Sequence, residues 1–542
     1  MLPAMRLRWL QHEVQASCPI CGATGPKGAV LSTEHVVPGP PPVTLVRCPD
    51  CGAAFLLDLT PPDYEMDVPG MLDYYVEQGA GIDLIVAPLL RLPPGTIRRC
   101  FEIGCSAGFA LDFSRFAFDW EVLGVDPSPL ATAGAEALGF PVRRTYFSAG
   151  LDLGPELFDL AICSEVLEHL AEPHALLAAI RDRLSPDGIL VLSTPNFALV
   201  RPEAETEALS RALSPGFHMV LYSRDALIRV LKMAGFAAVH VAESPETLRA
   251  FAAVSPEGLA GLRPADPAAE RALLRSYFDA RAASAPPASP FACGFAYRHF
   301  KECVNAGLHE EAAASRVRLA RIYRERFGLD LEKQDLDKLD LESGRPFPFN
   351  LTGSLFFSGI LELNGLDRPD RAAADFAASV AAGDFLQGRL NPYGLHDGET
   401  GELLAQSRKH LPMALAATEP DRAVREIEAL DRARAGEGLS PAILAEARAQ
   451  TFIRLVNAGA YAAAERLAPG IARQTESLDR DAINAETLDS IYCLAMLALH
   501  RERPAEAAEL FARAQRLAGP RTEILALARS HERLSLRRAG RG

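Results

Sequence analysis

Basic excess is missing from this 542-residue chain, in which 56 Lys and Arg stand against 70 Asp and Glu for a formal charge of −14. Nucleic-acid surfaces depend on clustered Lys and Arg that displace counterions, so nucleic acid is disfavoured as a partner. Long apolar runs are missing too. No stretch of about 18 apolar residues occurs, so no membrane insertion is expected, and Met1 to Gln11 lacks the apolar segment of a secretory leader. These absences predict a cytoplasmic chain. Cysteine is scarce, with ten residues, too few for a disulfide scaffold. Gly and Pro, 40 each, stay well short of the roughly 25–30% of low-complexity disorder. What is present, 49% hydrophobic and 23% charged residues, suits folded domains, three to four of them at about 150 residues each.

Four of the ten cysteines form two close pairs, Cys18-Pro-Ile-Cys21-Gly22 and Cys48-Pro-Asp-Cys51-Gly52. Two residues between cysteines let one tight turn aim both sulfurs at one ion, and the following glycine can adopt the positive φ of such a knuckle. Between the pairs, β-prone pieces from Val30 to Val46 flank the proline-rich loop Pro38 to Pro42, which predicts a hairpin. Residues 1–60 therefore read as a zinc ribbon with Cys18, Cys21, Cys48 and Cys51 as ligands. Four thiolates leave no open coordination position, so the Zn2+ is structural.

From about residue 96, short apolar runs alternate with helical segments, the sign of βαβ units. Ile97–Ile103, Glu121–Val125, Phe158–Cys163 and Gly188–Ser193 read as strands, and Ala107–Phe116, Pro129–Leu138 and Pro173–Leu184 as helices. The α/β domain is placed at 61–245 and an Ala/Pro/Ser-rich connector at 246–292. Residues 293–535 are rich in Ala, Leu, Arg and Glu at helical spacing, and they repeat. Phe300 to Gly307 is echoed by Phe452 to Gly459, and Arg368 to Phe376 by Arg503 to Phe511. Small residues at helix crossings predict tetratricopeptide-like units near 297–325, 352–382, 448–475 and 490–518, with an ordinary helical bundle as the alternative.

The main chemical signal is Cys100-Phe-Glu102-Ile-Gly104-Cys-Ser106-Ala-Gly108, where a strand meets a helix. Glycines there let the backbone approach a ligand, and the helix start offers free N–H groups. Asp126, at the tip of the next strand, suits the two ribose hydroxyls of an adenosine. These features alone fit a dinucleotide enzyme or a methyltransferase. Glu102 separates the two, because a carboxylate in the turn repels a pyrophosphate but suits the cationic S-adenosylmethionine.

Further on come Cys163-Ser164-Glu165-Val-Leu-Glu168-His169, then Leu184 to Asn196, and the closing Tyr222 to Phe236. In this order the motifs resemble class I S-adenosylmethionine-dependent methyltransferases, in the branch of ubiquinone-biosynthesis O-methyltransferases and several sugar methyltransferases. The resemblance covers roughly Tyr74 to Val241 and implies a Rossmann-like sheet. It implies cofactor contacts from Glu102, Gly104, Ser106, Gly108 and Asp126, with Cys163 and Ser164 at the methionine end. Ser106 departs from the family, standing where a glycine is usual. Tyr74, or its neighbour Tyr75, is expected on the methionyl carboxylate.

Methyl transfer is an in-line displacement, so the acceptor must be aligned and lose a proton. His169 is the candidate base, with Glu165 beside it; the alternative is a residue that only orders its loop. A second reading joins Glu165, Glu168, His169 and His218 around a catalytic divalent cation that lowers the acceptor's pKa, as in similar small-RNA and quinone methyltransferases. A ribbon before this core resembles nucleotide-sugar C-methyltransferases, so the expected acceptor is O or C of a saccharide, glycan or other polar metabolite. The repeats would then dock a carrier or protein partner. A protein or RNA methyltransferase and a cofactor-binding scaffold are the alternatives.

Overall fold

The structure is a computed structural model that describes residues 7–35, 40–60, 64, 70–78, 81–204, 206–333, 339, 345–390, 398–433, 439–476, 484–518 and 522–539. Pro38 of the proline-rich loop, and the expected domain start at Pro61, lie outside them.

Strands β1 (Leu7–Trp9), β2 (Glu13–Ser17), β3 (Thr24–Thr33), β4 (Val43–Arg47) and β5 (Ala54–Leu56) form an antiparallel sheet in which the long β3 carries both β1 and β2 on one edge. The two cysteine knuckles follow β2 and β4 and share one geometry. Gly22 N–H donates to Cys18 O and Gly52 N–H to Cys48 O, at 2.9 and 3.0 Å, with φ of 70° and 77° at the two glycines. Sequence repetition thus becomes structural repetition, because the positive φ lets the chain fold back on its first cysteine.

Next come α1 (Met71–Gln78) and α2 (Ile82–Val86), then β6 (Arg99–Ile103), α3 (Phe109–Phe118), β7 (Glu121–Val125), α4 (Pro129–Leu138) and β8 (Val142–Arg143). After these follow β9 (Phe158–Ser164), α5 (Pro173–Arg183), β10 (Leu184–Pro195), α6 (Thr206–Leu213), β11 (Val220–Leu221), α7 (Arg224–Met233), β12 (Ala238–Glu243) and β13 (Thr247–Ala253). The seven-stranded sheet runs β12-β13-β10-β9-β6-β7-β8, parallel from β10 to β8, with β13 antiparallel to both neighbours. Strand order reverses at β6, which opens a crevice at the carboxyl ends of β6, β7 and β9. Period-two alternation decides the faces: Cys100, Leu160, Ile162 and Val191 pack toward α1 to α3, and Phe101, Ala161, Cys163 and Leu190 toward α5, α7 and the ribbon.

The remaining helices are α8 (Pro267–Ser284), α9 (Pro290–Asn305), α10 (His309–Phe327), α11 (Leu351–Ile360), α12 (Pro369–Leu390), α13 (Gly398–Leu415), α14 (Pro420–Arg432), α15 (Pro441–Asn457), α16 (Tyr461–Glu476), α17 (Ala485–His500), α18 (Pro504–Ala518) and α19 (Thr522–Arg538). The echoed sequences occupy equivalent turns. Gly307 and Gly459, with φ of 69° and 73°, end α9 and α15 through the same pair of backbone bonds. Pro369 and Pro504 start α12 and α18, whose Ala372, Phe376, Ala507 and Phe511 are fully buried. A further hairpin, α13 with α14, has no sequence echo.

The segment expected as a connector is built into the fold. Its β13 completes the sheet, and its α8 docks on α3, where Arg281 makes two bonds to the buried Asp112 at 2.6 and 2.8 Å. Alanine is a poor strand former, so Ala250, Ala252 and Ala253 pointed away from a strand; burial between β10 and β12 overrides that preference. No helix among the described residues is long and apolar enough to cross a membrane.

Candidate active site

Between β6 and α3 the chain takes positive φ at Gly104 (70°), Ser106 (45°) and Gly108 (75°). A Cβ at Gly104 would lie 2.4 Å from Val166 Cγ2, and one at Gly108 2.0 Å from the Phe140 ring, so both positions need glycine for space as well as for φ. Serine at 106 tolerates the left-handed conformation because its N–H donates to Asp126 Oδ2 at 2.8 Å. Asp126 Oδ1 accepts from Ser128 N–H at 2.7 Å, which fixes the carboxylate at the tip of β7.

Glu102 is 4% exposed, and its Oε2 has no hydrogen-bond partner among the described residues. Burial, and then the charge of Asp126, push its pKa well above the carboxylate range. An orphaned acid in a glycine turn suits a ligand that brings positive charge and hydrogen-bond donors. Of the two tyrosines, Tyr75 is half-buried with its phenol pKa raised by burial, whereas Tyr74 packs edge-on against Phe349 at 5.2 Å. Tyr74, the expected contact of the methionyl carboxylate, thus packs from α1 on the C-terminal region. Ser164 ends β9 half-buried, while Cys163 is wholly buried, with its side chain in the core on the α7 face.

Beyond β9, Glu165 adopts φ 54° and its Oε1 accepts from Ser193 Oγ at 2.7 Å. Glu168 is fully buried; its Oε2 accepts from Thr194 Oγ1 at 3.0 Å and its Oε1 has no hydrogen-bond partner among the described residues. Burial pushes Glu168 well above the carboxylate range, and the charge of the neighbouring Glu165, itself exposed, adds to the shift. His169 Nδ1 lies 3.0 Å from Phe217 O and 2.7 Å from the Tyr64 hydroxyl. A carbonyl only accepts, so Nδ1 carries the proton and Nε2, 4.0 Å from Glu168 Oε1, keeps its lone pair. The His218 ring sits 4.8 Å away, with Nδ1 held by Ala212 O at 2.8 Å. Burial lowers both histidines, His218 to about 3, so both imidazoles are neutral near pH 7.

Ligand atoms of Glu168, His169 and His218 all lie within 4.8 Å of one another. Glu165 is not in this group, being turned to Ser193. The ribbon helps build the cluster: Val220 pairs with Phe55 and Leu221 with Ala54, which fixes the strand just after His218. Sequence reasoning missed Tyr64, Phe217, Ser193 and Thr194, and no local pattern marks the first two.

The four ribbon sulfurs converge, with Cys18 Sγ 3.6 Å from Cys51 Sγ and Cys21 Sγ 3.7 Å from Cys48 Sγ. A tetrahedron with zinc–sulfur bonds of about 2.3 Å has edges of about 3.8 Å, so the donor set fits zinc. Lys27, 1% exposed, reaches Asp50 at 3.3 Å beside Cys48 and places a positive charge next to the thiolates such a site requires.

A buried carboxylate in a glycine turn, on a sheet that reverses at its first strand, is the arrangement of a class I S-adenosylmethionine-dependent methyltransferase. A family model described as a methyltransferase domain matches residues 78–241. A ubiquinone biosynthesis O-methyltransferase from Cereibacter sphaeroides is 34% identical over 182 residues, covering 31% of this chain and 70% of that protein. Among solved structures, an O-methyltransferase family protein from Burkholderia thailandensis matches at 16% identity and a TM-score of 0.30, over 37% of this chain and 65% of that one. A methyltransferase from Mesorhizobium loti matches at 23% identity and a TM-score of 0.27, over 32% and 99%. This chain thus spans just under two thirds of the Burkholderia structure. By the identity and coverage of the Cereibacter relative, the chain belongs to the S-adenosylmethionine-dependent O-methyltransferase family.

Proposed function

We propose that this methyltransferase acts on a hydroxyl oxygen of a polar acceptor, a saccharide or glycan being the leading class, with His169 as the base. The observation that carries the reading is the neutral His169, whose Nε2 lone pair is left available by the bond at Nδ1. S-adenosylmethionine, when bound, supplies an electrophilic methyl group. Asp126 would hold its ribose, while Glu102, Gly104, Ser106 and Gly108, with Tyr75, would cradle its amino-acid end. Tyr64 and the Phe217 carbonyl would orient the imidazole through Nδ1. A cavity of about 1040 Å³ between α1, α9 and α13 is lined by Asp83, Arg271 and Glu302 together with Ile82, Phe278 and Ile443, so it offers an acceptor both polar and apolar contacts. The ribbon would act as a structural module, and the helices after 293 as a wall for acceptor or carrier.

A second reading is favoured by the unpartnered Glu168 Oε1 facing two neutral histidines. There Glu168, His169 and His218 would hold a divalent ion that lowers the acceptor's pKa. Transfer of labelled methyl into fractionated extract tests the acceptor, with label expected in the glycan fraction; label confined to RNA or protein refutes it. Full activity in EDTA, with ribbon zinc retained, refutes the metal reading.

A further inference from the structure

Arg298, on α9, is 6% exposed, and neither of its terminal nitrogens has a hydrogen-bond partner among the described residues. Its guanidinium lies over the Phe109 ring, 5.4 Å from the centroid, and Phe109 is the first residue of α3 after Gly108. The approach is close: a Cβ at Gly294, one turn earlier on α9, would come within 2.3 Å of Val76 O on α1. Tyr75 on α1 lies near enough to Glu102, Asp126 and Arg298 for the charge of each to act on its phenol.

Arg298 also lines the 1040 Å³ cavity. Other cations on that wall are paired, Lys301 with Glu399 and Arg271 with Glu302, each at 2.8 Å. A buried guanidinium without an acceptor is costly, and stacking on one ring offsets only part of that cost. A ligand oxyanion would supply what the protein does not.

We propose that Arg298 is an anion receptor, supplied by the C-terminal helices to the methyl-transfer site, for a carboxylate or phosphate. Two sources share this chemistry: the amino-acid carboxylate of the cofactor and an anionic group on the acceptor. The first rests on the cofactor placement proposed above; the second does not. Either way, the helical region contributes a binding group, and catalysis needs more than the α/β domain.

Calorimetry on the full-length protein tests this with three probes: S-adenosylhomocysteine, its carboxyl methyl ester, and inorganic pyrophosphate. If the cofactor is the source, Arg298→Gln weakens S-adenosylhomocysteine at least tenfold and leaves the ester unchanged. If the acceptor is the source, S-adenosylhomocysteine binding is unchanged, while pyrophosphate binds the wild type and Arg298→Lys but not Arg298→Gln. Unchanged S-adenosylhomocysteine binding in Arg298→Gln, together with no Arg298-dependent pyrophosphate binding, overturns the proposal. Should Arg298→Gln fail to fold, the wild type decides: equal affinity for S-adenosylhomocysteine and its ester, with no pyrophosphate binding, overturns it. A wild type that binds neither nucleoside would refute the cofactor placement, leaving pyrophosphate to judge Arg298.

Discussion

Arg326 Nε on α10 lies 2.9 Å from Glu77 Oε1 on α1, across 249 residues of sequence. The same guanidinium reaches Asp73 at 2.6 Å, and the Arg326 and Glu77 side chains are 5% and 0% exposed. Phe349 N–H adds a bond to Glu77 Oε2 at 3.3 Å, and Gln78 Nε2 donates to Phe349 O at 2.6 Å. The helix that carries Tyr75 toward the glycine turn is therefore held from its far side by the C-terminal helices.

Arg326→Met leaves Asp73 and Glu77 without the guanidinium that bonds both, with an expected loss of about 1–3 kcal/mol that deepens above pH 8, where Glu77 ionises. Adding Glu77→Gln should recover part of it. Urea unfolding of the single and double variants measures both, and additive losses would show that the two residues are not coupled.

Glu77 also predicts a pH slope. Burial raises its pKa from about 4.5 to about 8, so between those values the folded state holds more protons than the unfolded one. Its contribution to stability is full at low pH and is lost as pH rises toward 8. Denaturant midpoints at pH 5 and pH 8 should differ less in Glu77→Gln than in the wild type.

His218 slopes the other way. Its folded pKa of about 3 lies below the ordinary 6.5, so the unfolded chain takes up the proton first as pH falls. Stability from keeping His218 neutral is intact above 6.5 and is lost on the way down to about 3. Replacing it, as His218→Asn, should flatten the acid side of a melting-temperature profile.

Zinc should matter at a distance. Metal analysis of the purified protein is expected to give one zinc per chain, and Cys48→Ser to lose it. Methyl transfer should then fall at least tenfold, because β11, which positions His218, is paired with β5. Full activity in a zinc-free variant would break this link between ribbon and site.

The glycine turn is clamped from outside as well. A Cβ at Gly134, on α4, would fall 2.3 Å from the backbone oxygen of Ala107, which cannot rotate away. Gly134→Ala should weaken S-adenosylmethionine at least tenfold in calorimetry. Gly150→Ala, which meets nothing within 4 Å, is the control expected to show no change.

Legibility in the sequence followed chemical locality. The knuckles, the run from Glu102 to Gly108, Asp126, and the Glu165 to His169 stretch could be read because each encodes its geometry within a few residues. The echoed Asn-Ala-Gly turns could be read for the same reason. Tyr74 and Tyr75 could not be told apart, since adjacent helical residues differ only in which partner each meets. The α13–α14 hairpin stayed hidden because Pro412 interrupts its helical pattern and it echoes no other unit.

The amino-acid sequence by itself determined the class of sheet, the cysteine donor set and the glycine turn between β6 and α3, because backbone conformation and ligand spacing are short-range. Tertiary structure alone decided that the ribbon shares a sheet with the strand after His218 and that Tyr64 holds His169. It also decided that Arg298 and Arg326 arrive from helices more than 200 residues beyond α1. Those pairings depend on how whole layers pack to bury their apolar faces, and no window of local sequence records which distant side chain will be left beside them.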